Sequence, residues 1–461
     1  MRLRTSNVCL SGIAPVAVVV GLVFAASPRA FAQTPARAAA PARHVIVISL
    51  DGFPAYALAD PTVPAPNLRS LARDGAMAAA MTPVNPTVTW PNHTTIVTGV
   101  GPDRHGVLYN GLPRRTGEGL PLKVDPYVEK TVLVQAPTVY DAAHAAGLTT
   151  AEVDWVAIER APTITWSFAE WAGPEGRVER EMVAAGLVTE EELRTFTKAP
   201  ITLRDEIWTR AAAHIIKTHK PNLLLFHLLT TDSVQHRYGA RSLAGNAALA
   251  LADAQVGRIV DACRVAGILP DTTFIIVSDH GFRSYTKTIR PNAVLAKAGV
   301  GDAAWVISEG GTAMVYATRS AEKGSPERAK TLDAVRQALA PVDGIARVLT
   351  PEEYASFGYP RPDANERMAD LVLAARDGFA FNEAKEGDAV VDVPAGASPG
   401  SHGFLNTDAD MGAIFIASGA GVKRGVALGV IRNLDVAPTI ARLLGLELKD
   451  VSGQPLLQIF R

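Results

Sequence analysis

The sequence predicts an α/β fold in which a mostly parallel sheet is sandwiched between helices. Four short apolar runs, rich in β-branched residues, are typical of strands buried on both faces: residues 44–50, 222–229, 273–278 and 413–417. Helical segments alternate with these strands, at residues 67–74, 203–218, 243–266 and 436–444. This alternation favours a parallel sheet, and such sheets bind ligands beyond the carboxyl ends of their strands.

The first 32 residues predict a secretory signal peptide. Arg2 and Arg4 precede a short apolar run at 13–26, and an Ala-x-Ala cleavage site ends at Ala32. Residues 33–43 form an Ala/Pro-rich linker. We therefore expect an exported protein, periplasmic in a Gram-negative source.

Composition excludes several classes of protein. The chain of 461 residues has a formal net charge of −1, which gives no electrostatic reason to expect nucleic-acid binding. After signal removal only Cys263 remains, so no internal disulfide is expected. No membrane span is predicted, because the apolar core of the signal is short. The oligomeric state stays open.

The first part of the core, residues 44–107, carries a candidate nucleophile. Its first strand ends at Asp51, the helix at 67–74 is expected to close at Gly75, and a further helix starts at Thr89. Threonine is a good N-cap, and Pro91 is tolerated in a first helical turn. The Thr89 hydroxyl is thus expected at the positive end of a helix dipole, where an anion is favoured. Unaided, such a hydroxyl is a poor nucleophile.

Two long segments fit the alternation less well. Residues 108–200 are rich in Pro, Gly and Trp, and we expect them to form an inserted cap over the site. Residues 301–399 contain strands and a helix of their own and are expected to extend the core. They belong to the second part of the core, residues 201–461.

Three carboxylates and three imidazoles lie at or near the ends of the predicted strands. Each fragment alone is ordinary, since an Asp-x-x-x-His pair also occurs on helix surfaces by chance. Together the set predicts a metal site, and nitrogen and oxygen ligands without thiolate suit zinc, with manganese or iron as alternatives. Six ligands plus Thr89 suggest two ions. The ligands are Asp51, Asp232, His236, Asp279, His280 and His402.

These motifs resemble the nucleotide pyrophosphatase/phosphodiesterase family of the alkaline phosphatase superfamily. The resemblance rests on D-G at 51–52, P-T-V-T-W-P-N-H-T-T-I-V-T-G at 86–99, and P-D-R-H-G-V at 102–107. It continues with D-x-x-x-H, S-D-H-G and G-S-H-G, and ends with D-V-A-P-T-I-A-R-L-L-G at 435–445. The order is kept across nearly the whole mature chain, so an alkaline phosphatase-like core is implied.

The resemblance also implies roles for single residues. Thr89 is similar to the family's nucleophile, which forms a phospho-threonine. Asp51, Asp279 and His280, with Thr89, resemble the ligands of the activating metal, and the other three predicted ligands resemble those of the leaving-group metal. Asn110 occupies the position of an Asn that contacts a non-bridging phosphoryl oxygen. Trp90 is a candidate contact for a base or aryl group, or else packs beneath the cap.

The substrate is less well specified by these motifs. Cys263 lies in C-R-V-A-G, which excludes the formylglycine motif of sulfatases, and the K-x-R typical of threonine phosphomonoesterases is missing near residue 155. Gln235 before His236 resembles phosphonoacetate hydrolase, and a W-P-G-S-E-like segment of nucleotide-cleaving members is not recognisable.

We therefore expect a two-zinc hydrolase of phosphodiester or pyrophosphate bonds whose substrate is a small phosphate ester or nucleotide. Phosphonate or phosphomonoester hydrolysis by the same site is the alternative. A catalytically silent, metal-dependent protein that binds phosphorylated ligands is the alternative from another class.

Overall fold

The computed structural model describes residues 44–318 and 325–461. The predicted signal peptide and the linker at 33–43 lie outside the described residues. The strands of the described chain are β1 His44–Leu50, β2 Gly75–Thr82, β3 Leu112–Arg114, β4 Lys123–Asp125, β5 Thr150–Val153, β6 Trp166–Phe168, β7 Leu223–Leu228, β8 Thr272–Val277, β9 Arg283–Ser284, β10 Lys287–Ile289, β11 Ala304–Ser308, β12 Thr312–Ala317, β13 Ile345–Leu349, β14 Leu371–Ala375, β15 Phe379–Phe381, β16 Val390–Asp392, β17 Gly400–Ser401, β18 Phe415–Gly419 and β19 Val426–Arg432.

The α-helices lie between these strands in the order that the alternation predicts for the core. They are α1 Ala55–Ala59, α2 Pro66–Arg73, α3 Thr89–Thr98, α4 Pro102–His105, α5 Lys130–Leu133, α6 Val139–Ala145, α7 Arg177–Ala184, α8 Glu190–Arg194, α9 Ile201–His219, α10 Thr230–Tyr238, α11 Leu243–Val265, α12 Pro291–Lys297, α13 Pro326–Leu339 and α14 Val436–Leu443.

The central sheet has eight strands in the order β19-β2-β18-β8-β1-β7-β5-β6. Only β18 runs against the others, since it pairs antiparallel with both β2 and β8. The remaining pairings are parallel, so the predicted mostly parallel α/β sheet is confirmed. Seven strands therefore end at the same edge of this sheet.

Helices cover both faces of the sheet. Ile46 and Ile48 of β1 point to the face that packs on Trp208 of α9, whereas Val45 and Val47 point to the opposite face. This alternation follows from the two-residue period of a strand. Since α9 and α11 cover the first face and α3, α6 and α14 the second, β1 lies in the middle of the core.

The strands predicted from apolar runs are present as β1, β7, β8 and β18. The helices predicted at 67–74, 203–218, 243–266 and 436–444 correspond to α2, α9, α11 and α14. One detail is wrong: Gly75 does not close α2, because Asp74 is the C-cap and Gly75 begins β2. A Cβ at Gly75 would lie 2.1 Å from the carbonyl oxygen of Ala417 in β18, so close strand pairing excludes larger residues there.

The expected cap at residues 108–200 is core in part. Within this segment β5 pairs with β7 and β6 pairs with β5, and both belong to the central sheet. The expectation of a separate cap is wrong for these two strands. These strands form one side of the central sheet, and Phe168 of β6 is fully buried in the cluster that includes Trp208 of α9. The hairpin of β3 and β4 lies outside the sheet.

Residues 301–399 build a second sheet with the order β11-β12-β14-β13. Its pairings are all antiparallel, and α13 packs on it through Val335 and Leu339. The predicted strands and helix of this segment are thus present. They form a sheet of their own instead of adding strands to the central one.

Candidate active site

The six predicted metal ligands meet beyond the carboxyl ends of the central strands. Asp51 directly follows β1, and Asp279 and His280 follow β8. Asp232 and His236 lie on α10, which follows β7, and His402 directly follows β17. Because β1, β7 and β8 end at one edge of the central sheet, and β17 of a separate two-stranded sheet brings His402 to the same place, the side chains form two adjacent clusters.

The first cluster contains Asp51, Asp279 and His280. The Nε2 atom of His280 lies 3.1 Å from Oδ2 of Asp279 and 3.4 Å from Oδ1 of Asp51. All three side chains are buried. The backbone N–H of Gly52 donates to Oδ1 of Asp279, which holds the two carboxylates together.

The second cluster contains Asp232, His236 and His402. Oδ1 of Asp232 lies 3.2 Å from Nε2 of His236 and 3.6 Å from Nε2 of His402. The ring of His402 stacks on that of His280 at 3.8 Å between centroids, so the two clusters share a wall. The side chains of the second cluster are close enough to hold a metal ion, and so are those of Asp51, Asp232 and His280, a group that spans both clusters.

Backbone carbonyls orient the three imidazoles toward the carboxylates. Each Nδ1 lies 3.0–3.1 Å from a carbonyl oxygen, that of Gly281 for His280, Gly400 for His236 and Thr87 for His402. A carbonyl oxygen only accepts, so Nδ1 carries the hydrogen of the neutral ring and the Nε2 lone pair faces the carboxylates. Such lone pairs repel carboxylate oxygens unless a cation lies between them, and the residues therefore fit divalent metal ions.

Buried polar atoms at the same place also favour cations. Oδ1 of Asp51, Oδ1 of Asp232, Oδ2 of Asp279 and Nε2 of His280 are buried without a hydrogen-bond partner among the described residues. Burial, together with repulsion from Asp279 and Asp232, raises the pKa of Asp51 well above its ordinary value. A divalent ion at this position removes that repulsion.

The sequence predicts Thr89 as the N-cap of α3, and this detail is wrong. Thr89 is the first residue of the helix. The N-cap is Val88, whose side chain cannot cap, and α3 has no side-chain cap. The hydroxyl of Thr89 is therefore not used as a cap. Its side chain is nearly buried at 7% exposure, and its carbonyl oxygen lies 2.9 Å from Nδ1 of His93.

Asn110 supports the start of α3. Its Oδ1 accepts a hydrogen bond of 2.8 Å from the backbone N–H of Trp90. The amide Nδ2 is then the donor that Asn110 offers to a ligand. Asn110 also lines a cavity of ≈ 230 Å³ together with Val88, Tyr109, Glu309, His236 and His402, so the predicted phosphate-contacting residue and the second cluster face the same space.

Trp90 lines a different cavity, of ≈ 190 Å³. Trp155, Trp171 and Tyr127 also line it, and the rings of Tyr127 and Trp171 lie 5.2 Å apart. Trp90 is only 9% exposed, and its two predicted roles, contact with a base or aryl group and packing beneath the cap, both stay predictions.

The family profile described as Type I phosphodiesterase / nucleotide pyrophosphatase matches residues 45–405 of this chain. The chain belongs to this family. Ectonucleotide pyrophosphatase/phosphodiesterase family member 5 from Homo sapiens is 22% identical over 89% of this chain and 76% of its own length. Family member 7 from Rattus norvegicus is 24% identical over 89% of this chain and 85% of its own.

Solved structures show the same fold. Murine ectonucleotide pyrophosphatase/phosphodiesterase 5 superposes with a TM-score of 0.70 at 20% identity, covering 91% of this chain and 100% of the murine one. An inactive variant of that murine protein has been solved in complex with AMP. The resemblance seen in the motifs is thus confirmed, and the phosphodiesterase/nucleotide pyrophosphatase family identifies the chain as a hydrolase.

His227 is a site residue of this family member that sequence reasoning missed. It lies on β7 and is fully buried, with Nε2 3.1 Å from Oδ2 of Asp51 and Nδ1 3.0 Å from the carbonyl oxygen of Asp154. Its ring therefore lies directly against the carboxyl group of Asp51. No signal in the sequence marks it, because it lies inside the apolar run of β7 and reaches Asp51 only through the pairing of β7 with β1.

Glu309 is a second residue missed in the sequence. It follows β11 and lines the cavity of Asn110, where burial raises its pKa well above the ordinary value. Its Oε2 accepts from the hydroxyl of Thr312 at 3.1 Å, while Oε1 is buried without a hydrogen-bond partner. Nothing in the local sequence V-I-S-E-G-G distinguishes this glutamate from a turn residue.

Gln235, the residue before His236, has a structural role. It is 1% exposed, and its Nε2 donates to the carbonyl oxygens of Gly52 and Thr231. It thereby ties α10 to the loop that carries Asp51.

Across residues 44–318 and 325–461, no helix combines the length and apolar character needed to span a bilayer.

Proposed function

We propose that this protein is an exported hydrolase that cleaves phosphodiester or pyrophosphate bonds through a covalent phospho-threonine at Thr89. The observation that carries the proposal is the pair of carboxylate and imidazole clusters, with Nε2 lone pairs turned inward. His93 connects the first cluster to Thr89, since its Nδ1 lies 2.9 Å from the Thr89 carbonyl oxygen and 3.7 Å from Oδ2 of Asp279. A metal-free binding role does not explain why three histidines have their Nδ1 atoms engaged by carbonyl oxygens.

The chain's own residues divide the work. Thr89 supplies the oxygen that attacks phosphorus, at the start of α3, where the positive end of the helix dipole favours the anionic substrate. Nδ2 of Asn110 donates to a non-bridging phosphoryl oxygen, where charge develops in the transition state. Asp51, Asp279 and His280 hold the activating side of the site, and Asp232, His236 and His402 hold the leaving-group side.

Two divalent ions, expected to be zinc, would lower the pKa of the Thr89 hydroxyl and neutralise the departing oxygen when bound to these residues. Three carboxylates against two such ions leave a slightly positive site. That balance suits a monoanionic diester whose charge increases in the transition state.

The substrate is expected to be a small phosphate ester or nucleotide. The cavity of Trp90, Trp155 and Trp171 offers aromatic rings and room for a base or aryl group close to the nucleophile. The AMP bound by the murine relative agrees with this choice.

Phosphonate and phosphomonoester hydrolysis remain the alternatives for the same site. The packing of Gln235 against Gly52 explains the D-x-x-Q-H motif without a substrate contact, so the motif does not favour a phosphonate. Export to the periplasm rests on the predicted signal peptide, and the names of the ectonucleotide relatives agree with it. Sequencing the amino terminus of the mature protein tests it, since cleavage after Ala32 is expected.

The decisive experiment compares turnover of bis-p-nitrophenyl phosphate and p-nitrophenyl phosphate with zinc supplied. Thr89→Ala serves as the blank, and Thr94→Ala is the matched control, because Thr94 lies on the same helix and donates only to the carbonyl oxygen of Trp90. We expect preference for the diester, loss of turnover in Thr89→Ala, and retention in Thr94→Ala.

Other outcomes would redirect the proposal. Preference for the monoester contradicts a diesterase, and activity on neither compound directs the assay to phosphonates. Unchanged turnover in Thr89→Ala excludes the phospho-threonine. Binding of phosphorylated ligands by a protein that turns over none of these compounds supports the silent binding protein.

A further inference from the structure

A second group of metal-ligating side chains lies away from the candidate active site. Glu181 of α7 and His214 and His219 of α9 each offer one ligand atom, and these atoms all lie within 4.8 Å of one another. One oxygen, Oε2 of Glu181, lies 3.2 Å from Nε2 of His214 and 2.6 Å from Nε2 of His219. Two imidazole nitrogens and one carboxylate oxygen therefore converge on one point.

We propose that Glu181, His214 and His219 bind a divalent transition-metal ion, with water completing its coordination. Two histidines and one glutamate are a ligand set that zinc accepts, and the imidazole nitrogens favour zinc over magnesium or calcium. The three side chains are 29%, 11% and 12% exposed, so an ion can enter from solvent while the ligands stay partly desolvated.

Neighbouring residues hold the ligands in place. The ring of His219 stacks on Trp166 of β6, with centroids 3.4 Å apart and planes at 13°. The guanidinium of Arg177 also lies over the Trp166 ring, 3.8 Å from its centroid. The Nε atom of Arg177 lies 3.6 Å from Oε1 of Glu181. Oε1 is thus directed to Arg177, which leaves Oε2 as the metal ligand.

The position of this cluster makes its role structural. His219 ends α9 four residues before β7 begins, so the cluster lies by the amino ends of the parallel strands. At the other end of α9, Asp205 accepts from the backbone N–H groups of Leu229 and Thr230 beside the active site. Fourteen helical residues separate the two positions, about 21 Å along the axis. The ion would clamp α7 to α9 in a chain whose described residues contain no disulfide.

The test counts zinc ions per chain after equilibrium dialysis of the full-length protein at micromolar free zinc. His214→Gln/His219→Gln is the informative variant, because glutamine keeps a donor toward Glu181 but is a poor zinc ligand. The matched control is His144→Gln, which changes an exposed histidine of α6. We expect the double variant to bind one zinc ion fewer than the wild type and the control, with unchanged phosphodiester turnover.

An equal count in wild type and double variant would overturn the proposal, as would a difference that appears only at millimolar zinc. If the double variant does not fold, anomalous diffraction at the zinc edge from wild-type crystals decides instead. A peak within bonding distance of both Nε2 atoms supports the site, and its absence overturns it. Because the readout is a difference of one ion, it is independent of how many ions the active site binds.

Discussion

At the scale of single residues, Asn110 shows how one side chain serves the fold and the chemistry together. Its Oδ1 accepts a hydrogen bond from the backbone N–H of Trp90, and its Nδ2 is the group proposed to contact the substrate. Asn110→Asp keeps the acceptor but replaces the donor with a negative charge beside an anionic phosphoryl group. We expect kcat/KM for bis-p-nitrophenyl phosphate to fall about 100-fold or more, as for loss of an oxyanion donor.

The control for this substitution is Asn382→Asp, where Oδ1 also accepts a backbone N–H, that of Ala384, outside the site. Its kcat/KM is expected to equal that of the wild type. If Asn110→Asp were as active as this control, Asn110 would have only its structural role.

Glu152 permits a prediction about pH. Burial raises its pKa to about 7 from an ordinary value near 4.5, although hydrogen bonds from Ser167 and Trp155 oppose the shift. Between these values the folded protein holds a proton that the unfolded chain has lost, so its contribution to stability falls as pH rises. Relative to Glu152→Gln, the wild type should lose about 1.4 kcal/mol of unfolding free energy per pH unit across this window.

Urea denaturation at several pH values measures this difference. Glu190→Gln, at an exposed glutamate, serves as the control and should follow the wild type. A constant difference between wild type and Glu152→Gln across the window would show that Glu152 titrates at its ordinary value when folded.

Single residues also show what a sequence can predict of a site. Asp51, Asp232 and Asp279 were predictable because they come at or soon after the ends of apolar strands, which places them at one edge of a parallel sheet. His227 was not, since it lies inside the apolar run of β7, and only the pairing of β7 with β1 brings it to Asp51. Burial hides such supporting residues from pattern analysis.

At the scale of elements, the strands missed from the sequence are those with weak apolar patterns. β2 is G-A-M-A-A-A-M-T, and alanine is not enriched in strands, so its pairing with β18 and β19 decides its conformation. β5 contains Glu152 and β6 contains Ser167, which are paired to each other inside the fold. Tertiary contacts, not local propensity, place these strands in the sheet.

A buried ion pair connects α13 to the second sheet. Arg328 of α13 donates to both carboxylate oxygens of Asp370 at 2.7 and 2.8 Å, and Asp370 also accepts from the backbone N–H of Ala317. Both side chains are buried. Arg328→Met leaves a buried carboxylate without its cation and is expected to lower the free energy of unfolding by about 3–5 kcal/mol.

Arg336→Met is the matched control for this prediction. Arg336 lies on the same helix, is 52% exposed, and approaches Asp333 only to 3.9 Å. Its replacement should change the free energy of unfolding by about 0–1 kcal/mol in the same denaturation experiment. Equal effects of the two substitutions would mean that the Arg328–Asp370 pair does not anchor α13.

At the scale of the whole molecule, the fold concentrates negative charge where its strands end. The chain is almost neutral, with a formal net charge of −1, yet two buried carboxylates and the partly exposed one of Asp232 meet at one edge of the central sheet. In the metal-free protein Asp51 is the unfavourable member, because burial and its carboxylate neighbours raise its pKa well above the ordinary value, whereas the pKa of Asp232, despite desolvation, is lowered to about 2 by His236. A bound cation is expected to offset the repulsion at Asp51. Stability and catalysis are therefore linked through the same ions.

Asp51→Asn tests this link because it changes one charge at the centre of the cluster. Its pKa is raised by burial and by Asp279 and Asp232, so the folded state without metal disfavours the charged form. In EDTA we expect the variant to be more stable than the wild type, because asparagine removes a buried charge that neighbouring carboxylates repel. Phosphodiester turnover should be lost.

With zinc the order should reverse, since the wild type keeps a ligand that the variant lacks. An ion present at about 100 times its dissociation constant stabilises the folded state by about 2.7 kcal/mol. Thermal and urea unfolding of both proteins, in EDTA and in zinc, measure the four values, with exposed Asp343→Asn as the control. Any ion held by Glu181 contributes equally to all three proteins, so it cancels in the comparison. Equal stabilisation by zinc in wild type and Asp51→Asn would remove Asp51 from the metal site, whatever the turnover shows.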